Sequence, residues 1–382
     1  MRKMLGGKDE KMKKLGDLPG DVIKTAAKVG MEETEKERSA SFFHLDEAGV
    51  FSKVMEGYKD KVELLDIREA LKKHAWLKDY YWKAVDKNKD EYTKNTDELV
   101  MGGYYMRILP GQKVEVPLQS CMFISKLRFK QYVHNIIIAE EGSEAQIISG
   151  CATTEGTGSA EHVGVSEFFV KKDARLTFTM IHNWSPETLV RPRSGAVIED
   201  NASFISNYVI LKPVKDLQMY PTAYCKGKNS VARFSNLMYA EGRSYIDAGS
   251  RVILEGENSR AEIISRAIAK DAATIISRGD LRNTNSKVKG HLECRGLLLG
   301  KESVIHAIPE LLAKGEGSDM SHEAAVGKIA EKEIFYLMSR GLTKDEATAL
   351  IIRGFLDTSI LNLPAELDRT IRNMTEKVSE GL

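Results

Sequence analysis

Residues 250–277 read SRVILEGENSRAEIISRAIAKDAATIIS, and the pattern of this stretch decides the fold. Three apolar runs, Arg251 to Leu254, Ala261 to Ser265 and Thr274 to Ser277, are separated by charged and small residues. Alternation within the runs suits strands with one buried face. No helical period intervenes, which argues against a doubly wound α/β fold, where a helix must lie between successive strands. Similar runs occur upstream at Asn135 to Ala139, Ala145 to Ser149, Arg175 to Ile181 and Ser203 to Leu211. A recurrence of roughly one strand per ten or so residues is that of a solenoid whose stacked coils bury a shared core. The expectation is a mainly β protein with a right-handed parallel β-helix at its centre. A large β-sandwich is the structural alternative, because spacing alone does not separate the two.

The flanks differ in texture. Residues 1–98 read as an N-terminal helical region, 99–312 as the β-helix core and 313–382 as a C-terminal helical domain. Pro19-Gly20 opens a stretch with Val22, Ile23, Ala26 and Val29 at helical spacing, and Val62 to Tyr81 carries Leu64, Leu65, Ile67, Leu71, Trp76 and Leu77. The first forty residues are expected to be loosely attached. Near the other end Ser321 reads as an N-cap, placing His322 and Glu323 in a first helical turn. Val326, Ile329, Ala330, Ile334, Leu337 and Met338 continue that stripe to Gly341, a C′ glycine. Thr343-Lys344-Asp345-Glu346 fits a capping box. Pro364 suits the start of a last helix reaching about Val378.

Lys and Arg number 56 and Asp and Glu 55 in a chain of 382 residues. Without a concentrated basic face, no nucleic-acid partner is expected. No apolar run reaches the roughly 18–20 residues that a spanning helix needs, and the basic N-terminus lacks the apolar centre of a secretory signal. The expected compartment is the cytoplasm, with no membrane partner. The four cysteines, Cys121, Cys151, Cys225 and Cys294, form no CxxC pair. Each also reads simply as a small buried hydrophobe.

Two places carry candidate chemistry. In HLECRGLLL, residues 291–299, strand alternation puts His291, Glu293 and Arg295 on one face and Leu292, Cys294, Gly296 and Leu298 on the other. Cys294 either packs beside those leucines or is a thiol whose ionisation Lys289, His291 or Arg295 would favour. His322 and Glu323 at a helix start would be neutral imidazole and carboxylate, the forms that bind metals. The simpler reading leaves them as a surface histidine and a dipole-complementing acid. No local run offers four thiolates, so adjacent residues of one chain cannot build the usual four-cysteine cluster site. Two chains that juxtaposed Cys294 with His322 or Glu323 would supply four mixed ligands. P-loop, HExxH and GxSxG motifs are absent, so no nucleotide or common hydrolase site is supported and the chain is not expected to be an enzyme.

The long C-terminal segment HLECRGLLL, then SVIHAIPEL, then MSHEAAVGKIAEKEIFYLMSRGLTKDEATALIIRGF resembles the signature of SufB and SufD proteins. The resemblance extends back through SRAEIISRAIAKDAATIISRGDL, FTMIHNW at 178–184, the SGC ending at Cys151 and KVEVPLQ at 113–119, covering roughly residues 100–360. The chain looks most like archaeal minimal forms. The resemblance implies a β-helix that dimerises, here as a homodimer, and a transient iron–sulfur cluster assembled at the interface. It also implies C-terminal helices that dock on a SufC-type ABC ATPase. Carried over by position, Cys294, His322 and Glu323 match cluster-ligand positions, Cys151 a sulfur-accepting cysteine, and Trp184 a residue lining a sulfur route. His182 stands where SufB often has glutamine, and Phe123 to Ser125 lack the family's basic and amide residues. The competing expectations are a SufD-like structural partner of a separate scaffold and a β-helical enzyme acting on polysaccharide.

Overall fold

The structure is a computed structural model that describes residues 12–356, apart from Glu35, Glu155, Leu211 and Ser286, together with residues 368, 369 and 372. Of the helix expected from Pro364 to about Val378, residues 368, 369 and 372 are described and are helical; its other positions lie outside the described residues.

Two long sheets face each other across one core. The first runs, in hydrogen-bonded order, Ala48–Val54, Ala40–Leu45, Lys113–Ile124, Glu144–Thr153, Arg175–Asn183, Ser203–Ile210, Val231–Ala240, Arg260–Ala269, Lys289–Leu298 and Asp319–Gly327. The second runs Val62–Asp66, Tyr104–Ile108, Lys130–Ala139, Glu161–Val170, a broken strand at Leu189–Val190 and Arg193–Ile198, another at Asp216–Met219 and Thr222–Cys225, then Tyr245–Leu254, Thr274–Asn283 and Val304–Leu312. From Lys113 onward the chain alternates between the sheets, and all those pairings are parallel. This is the expected parallel β-helix. Strands follow one another every 14 or 15 positions in the quoted stretch (Tyr245, Arg260, Thr274 and Lys289), a wider interval than the sequence suggested, because each strand has ten residues and a turn follows it.

The coil period is 28 to 30 residues, seen in hydrogen bonds between Asn201 and Asp173, Asn236 and Ser265, and Val214 and Ser244. One corner repeats with that period. Asp173, Asn201, Asn229 and Asn258 all adopt left-handed backbone, with φ between 55° and 59°. Asn and Asp tolerate this conformation because their short polar side chains bond locally, and here Asn229 donates to Asn201 and Asn201 to Asp173. The interior is filled by inward-facing residues from both sheets, including Phe168 against Phe178 and Phe204, with ring centroids 4.8 and 5.0 Å apart.

The N-terminal region is less helical than its composition implied. Helices occupy Gly20–Ala27, Ile67–Lys73 and Glu91–Leu99, but three strands interleave with them and join the sheets. Val62 to Tyr81 is a strand, a helix and a 3-10 turn, since Val62, Leu64 and Asp66 point inward with a period of two. Nor are the described residues from 12 onward loosely attached. Leu15, Leu18, Val22 and Val29 are buried against the outer face of the first sheet. Gly150 makes this possible: a β-carbon there would overlap Val29. Residues 67–99 cover the outer face of the second sheet. Glu167 fixes that cover by accepting backbone N–H groups from Trp82, Lys83, Ala84 and Val85 at 2.6–3.1 Å.

At the other end, strand Asp319–Gly327 carries the solenoid past residue 312, and the first C-terminal helix begins at Glu331, not at Met320. His322 and Glu323 therefore sit on a strand, and the expected helix-dipole effect on them does not arise. Pairing with Lys289–Leu298 outweighs the weak capping signal of Ser321, whose hydroxyl bonds His291 across the sheet at 2.8 Å. Gly341 ends the Glu331–Met338 helix in left-handed backbone, and Thr343 with Glu346 forms the expected capping box on Lys344–Phe355. Among the described residues, no helix is long and apolar enough to cross a membrane.

Candidate functional site

The solenoid ends on two strands, Val304–Leu312 and Asp319–Gly327, each hydrogen-bonded to a coil on one side only. Val304, Leu311, Leu312 and Val326 are exposed there. Unpaired edges backed by apolar side chains are templates for another chain.

Cys294 lies one coil below this end. Alternation turns it inward, as the sequence indicated, and it is 2% exposed. Burial pushes its thiol above the ordinary cysteine value, and the charge of Glu293 adds to the shift; the otherwise unpartnered Ser277 hydroxyl beside it acts in the opposite direction. The thiol is therefore protonated at neutral pH, and the flanking basic residues do not activate it: His291 and Arg295 are on the outward face, and Arg295 lies 3.0 Å from Glu293.

His322 pairs in register with Leu292, which places it on the same inward face as Cys294, one step along. Its Nε2 is buried and has no hydrogen-bond partner. Glu323 pairs in register with Glu293 and faces outward, exposed. The structure thus brings Cys294 and His322 together and sets Glu323 on the opposite face. Among the described residues no three His, Cys, Asp or Glu side chains converge to hold a metal ion.

Cys151 and Trp184 are deep inside. Cys151 is fully enclosed, and burial raises its thiol to about 12. It pairs in register with His182, whose Nδ1 is 2.9 Å from the Tyr208 hydroxyl. Trp184 packs between two histidine rings, 4.9 Å from His162 and 5.6 Å from His182. Burial holds both histidines in the neutral form, His162 at about 3 and His182 well below its ordinary value. From Tyr208 a register column continues through Asn236 and Ser265 to Cys294, with Asn236 donating to Ser265 at 3.2 Å. Polar side chains therefore line the interior from Cys151 to Cys294. Sequence reading missed Tyr208, Asn236 and Ser265. Their spacing of 28 and 29 residues, continued to Cys294, was the available signal.

Comparison with known proteins places this architecture. The model of the SufBD core domain, of the SUF system for FeS cluster assembly, matches residues 123–355. The chain belongs to the SufBD family. An iron-sulfur cluster assembly SufBD family protein of Methanothermobacter thermautotrophicus is 48% identical over 98% of this chain and 92% of the relative. Its counterpart in Archaeoglobus fulgidus is 49% identical over 93% and 94%, and one in Pyrococcus horikoshii is 30% identical over 98% and 84%. The SufBD match takes in the Cys151 coil, both open-end strands and the C-terminal helices up to Phe355.

Proposed function

We propose that this SufBD protein is a scaffold subunit on which a labile iron–sulfur cluster is built between the open ends of two copies, driven by a SufC-type ABC ATPase. The observation that carries the reading is the shared inward face of Cys294 and His322 in the last two coils, beneath unpaired strand edges. A second copy docked there continues the sheets and doubles the ligand set. Cys294 releases its proton on binding iron, and the unpartnered Nε2 of His322 accepts the metal directly. Glu323, on the rim, enters only if the terminal strand twists, so it is the last of the three to engage. One thiolate per chain makes the assembly easy to release, which a scaffold needs.

Sulfur enters at Cys151 and moves past Trp184, His182 and Tyr208 along the polar column to Cys294. The buried, neutral histidines offer uncharged hydrogen-bonding stations in a space where a fixed charge is costly. The ATPase docks on the C-terminal helices, where Phe335 and Tyr336 are 62% and 59% exposed beside Met338 and Leu350. Nucleotide-driven movement of these helices pulls on the coil beneath them, since Ile352 and Leu356 pack with Ile268 and Leu297 of the outer face.

Anaerobic reconstitution with iron and sulfide, followed by visible absorption, tests the ligand assignment. Cys294→Ser and His322→Ala are expected to lose most of the cluster signal. Retention of the wild-type signal by both variants contradicts it.

A further inference from the structure

The second sheet is interrupted twice at the same level. Its strands break at Arg191-Pro192 and, on the next coil, at Tyr220-Pro221. Proline has no N–H to give to a ladder, and side-chain donors bridge the two coils there instead: Arg191 donates to the carbonyls of Val190 and Asp216, and Arg193 to those of Pro192 and Gln218. Inside that point is a cavity of about 30 Å³ bordered by Pro192, Pro221, Tyr208 and Asn236. It has room for two or three water-sized molecules, at roughly 10–15 Å³ each. Outside it is a groove of about 380 Å³. Met219 borders both.

The groove is cationic on balance. Arg193 pairs with Asp90, Arg278 with Asp247, and Arg251 with the buried Asp280. Glu310, also in the groove, pairs with Arg282. Lys89 is the surplus cation and forms no salt bridge among the described residues. Burial, then the charges of Arg193 and Arg251, hold its ammonium below the ordinary lysine value, against the pull of Asp90. A small anion bound there relieves that repulsion.

We propose that the double proline break is a side port into the solenoid, with Met219 as its plug, that takes a hydrosulfide-sized weak-acid anion from the Lys89 groove to the cavity beside Tyr208 and Asn236. The cavity's size excludes amino-acid or peptide persulfides. The cavity's lining, which includes Phe168, Phe178, Phe204 and Phe234, excludes an ion that stays charged, because burying an unpaired charge costs far more than burying a neutral molecule. Hydrosulfide meets both limits: it binds in the groove as HS⁻, takes one proton from solvent and crosses as H₂S, with no change of oxidation state. The choice of hydrosulfide rests on the scaffold reading, to which the port adds a second entry beyond Cys151; the passage itself does not.

Crystals of the full chain soaked anaerobically in sodium hydrosulfide near neutral pH, compared with unsoaked crystals, test the port by sulfur anomalous scattering at long wavelength. The expected result is one peak in the groove near Lys89 and another in the cavity. Met219→Trp should lower the cavity peak at least about tenfold at matched soaking time and leave the groove peak, whereas Met219→Ala should raise it; Lys89→Gln should weaken the groove peak. A cavity peak indifferent to both Met219 variants, or no cavity peak in wild type and Met219→Ala alike, overturns the proposal. Cluster reconstitution at Cys294 is read separately, so either idea can fail alone.

Discussion

Cys294 lies in register with Ala324 of the terminal strand, so the residue that the last coil sets beside the thiol carries only a methyl group. The thiol is shielded from solvent by little side-chain bulk. Ala324→Leu is expected to slow alkylation of Cys294 by iodoacetamide several-fold, and Ala324→Gly to leave it unchanged or faster, with mass spectrometry identifying the modified cysteine. Because burial raises this thiol, its alkylation rate should keep climbing about tenfold per pH unit past the pH near 8.5 at which an ordinary cysteine levels off. Ser277→Ala, which removes the group favouring the thiolate, should extend that climb further.

The buried histidines make the fold acid-sensitive in a defined window. His162 is held at about 3 and His44 at about 4, both chiefly by burial, against 6.5 for the free side chain. Each binds a proton more readily unfolded than folded. The stability this gives is complete above pH ~6.5 and is lost as pH falls towards the folded value. His162→Gln, which can still donate to Gln131, should reduce the slope of unfolding free energy against pH by about 1.4 kcal/mol per pH unit between about pH 6 and 4. Denaturant titrations of both proteins across that range measure the difference; equal slopes place the proton elsewhere.

Glu167 and His134 are fully buried and 2.8 Å apart, and the same carboxylate holds four backbone N–H groups of residues 82–85. Glu167→Ala leaves those donors without a partner. A loss of roughly 3 kcal/mol is expected, because each unsatisfied buried group costs about 1–3 kcal/mol and some will find water. Hydrogen exchange should show the loss concentrated in residues 67–99. A uniform change, or one below about 1 kcal/mol, means the cover is held by its apolar contacts instead.

Phe335 and Tyr336 project from the Glu331–Met338 helix with no apolar cover of their own. Replacing both by alanine should weaken binding of the proposed ATPase partner by about tenfold to a hundredfold, the usual range for aromatic anchors, without lowering the thermal midpoint. Calorimetric titration with the partner reads the first, and a melting curve the second.

Much of the fold was legible because its repeats are short and regular. Alternating runs such as Ala261 to Ser265, set between small and charged turn residues, announce a solenoid without any long-range information. The terminal coil was harder to read. Residues 320–338 have enough apolar residues at helical spacing to read as one helix, and only pairing with the Lys289–Leu298 strand turns Asp319–Gly327 into sheet. That difference moved Glu323 to the outward face and His322 to the inward one. Strands Ala40–Leu45 and Val62–Asp66 were hidden for the same reason: their partners, Lys113–Ile124 and Tyr104–Ile108, lie tens of residues away. Cys294 and Cys151 were identified through family likeness; alternation then gave Cys294 its inward face, but neither signal indicated how deeply both thiols are buried.

The central claim is that the cluster belongs to two open ends together. Its most direct test is the iron content of reconstituted protein after separation by size, in wild type and in the Val304→Asp/Val326→Glu double variant. Those charges, placed on both exposed edges, should block docking without disturbing the buried core. The expected result is iron confined to the dimer fraction of the wild type and lost from the monomeric variant, whose circular dichroism and melting curve stay unchanged. A folded monomer that holds as much iron per chain as the wild-type dimer would contradict the account.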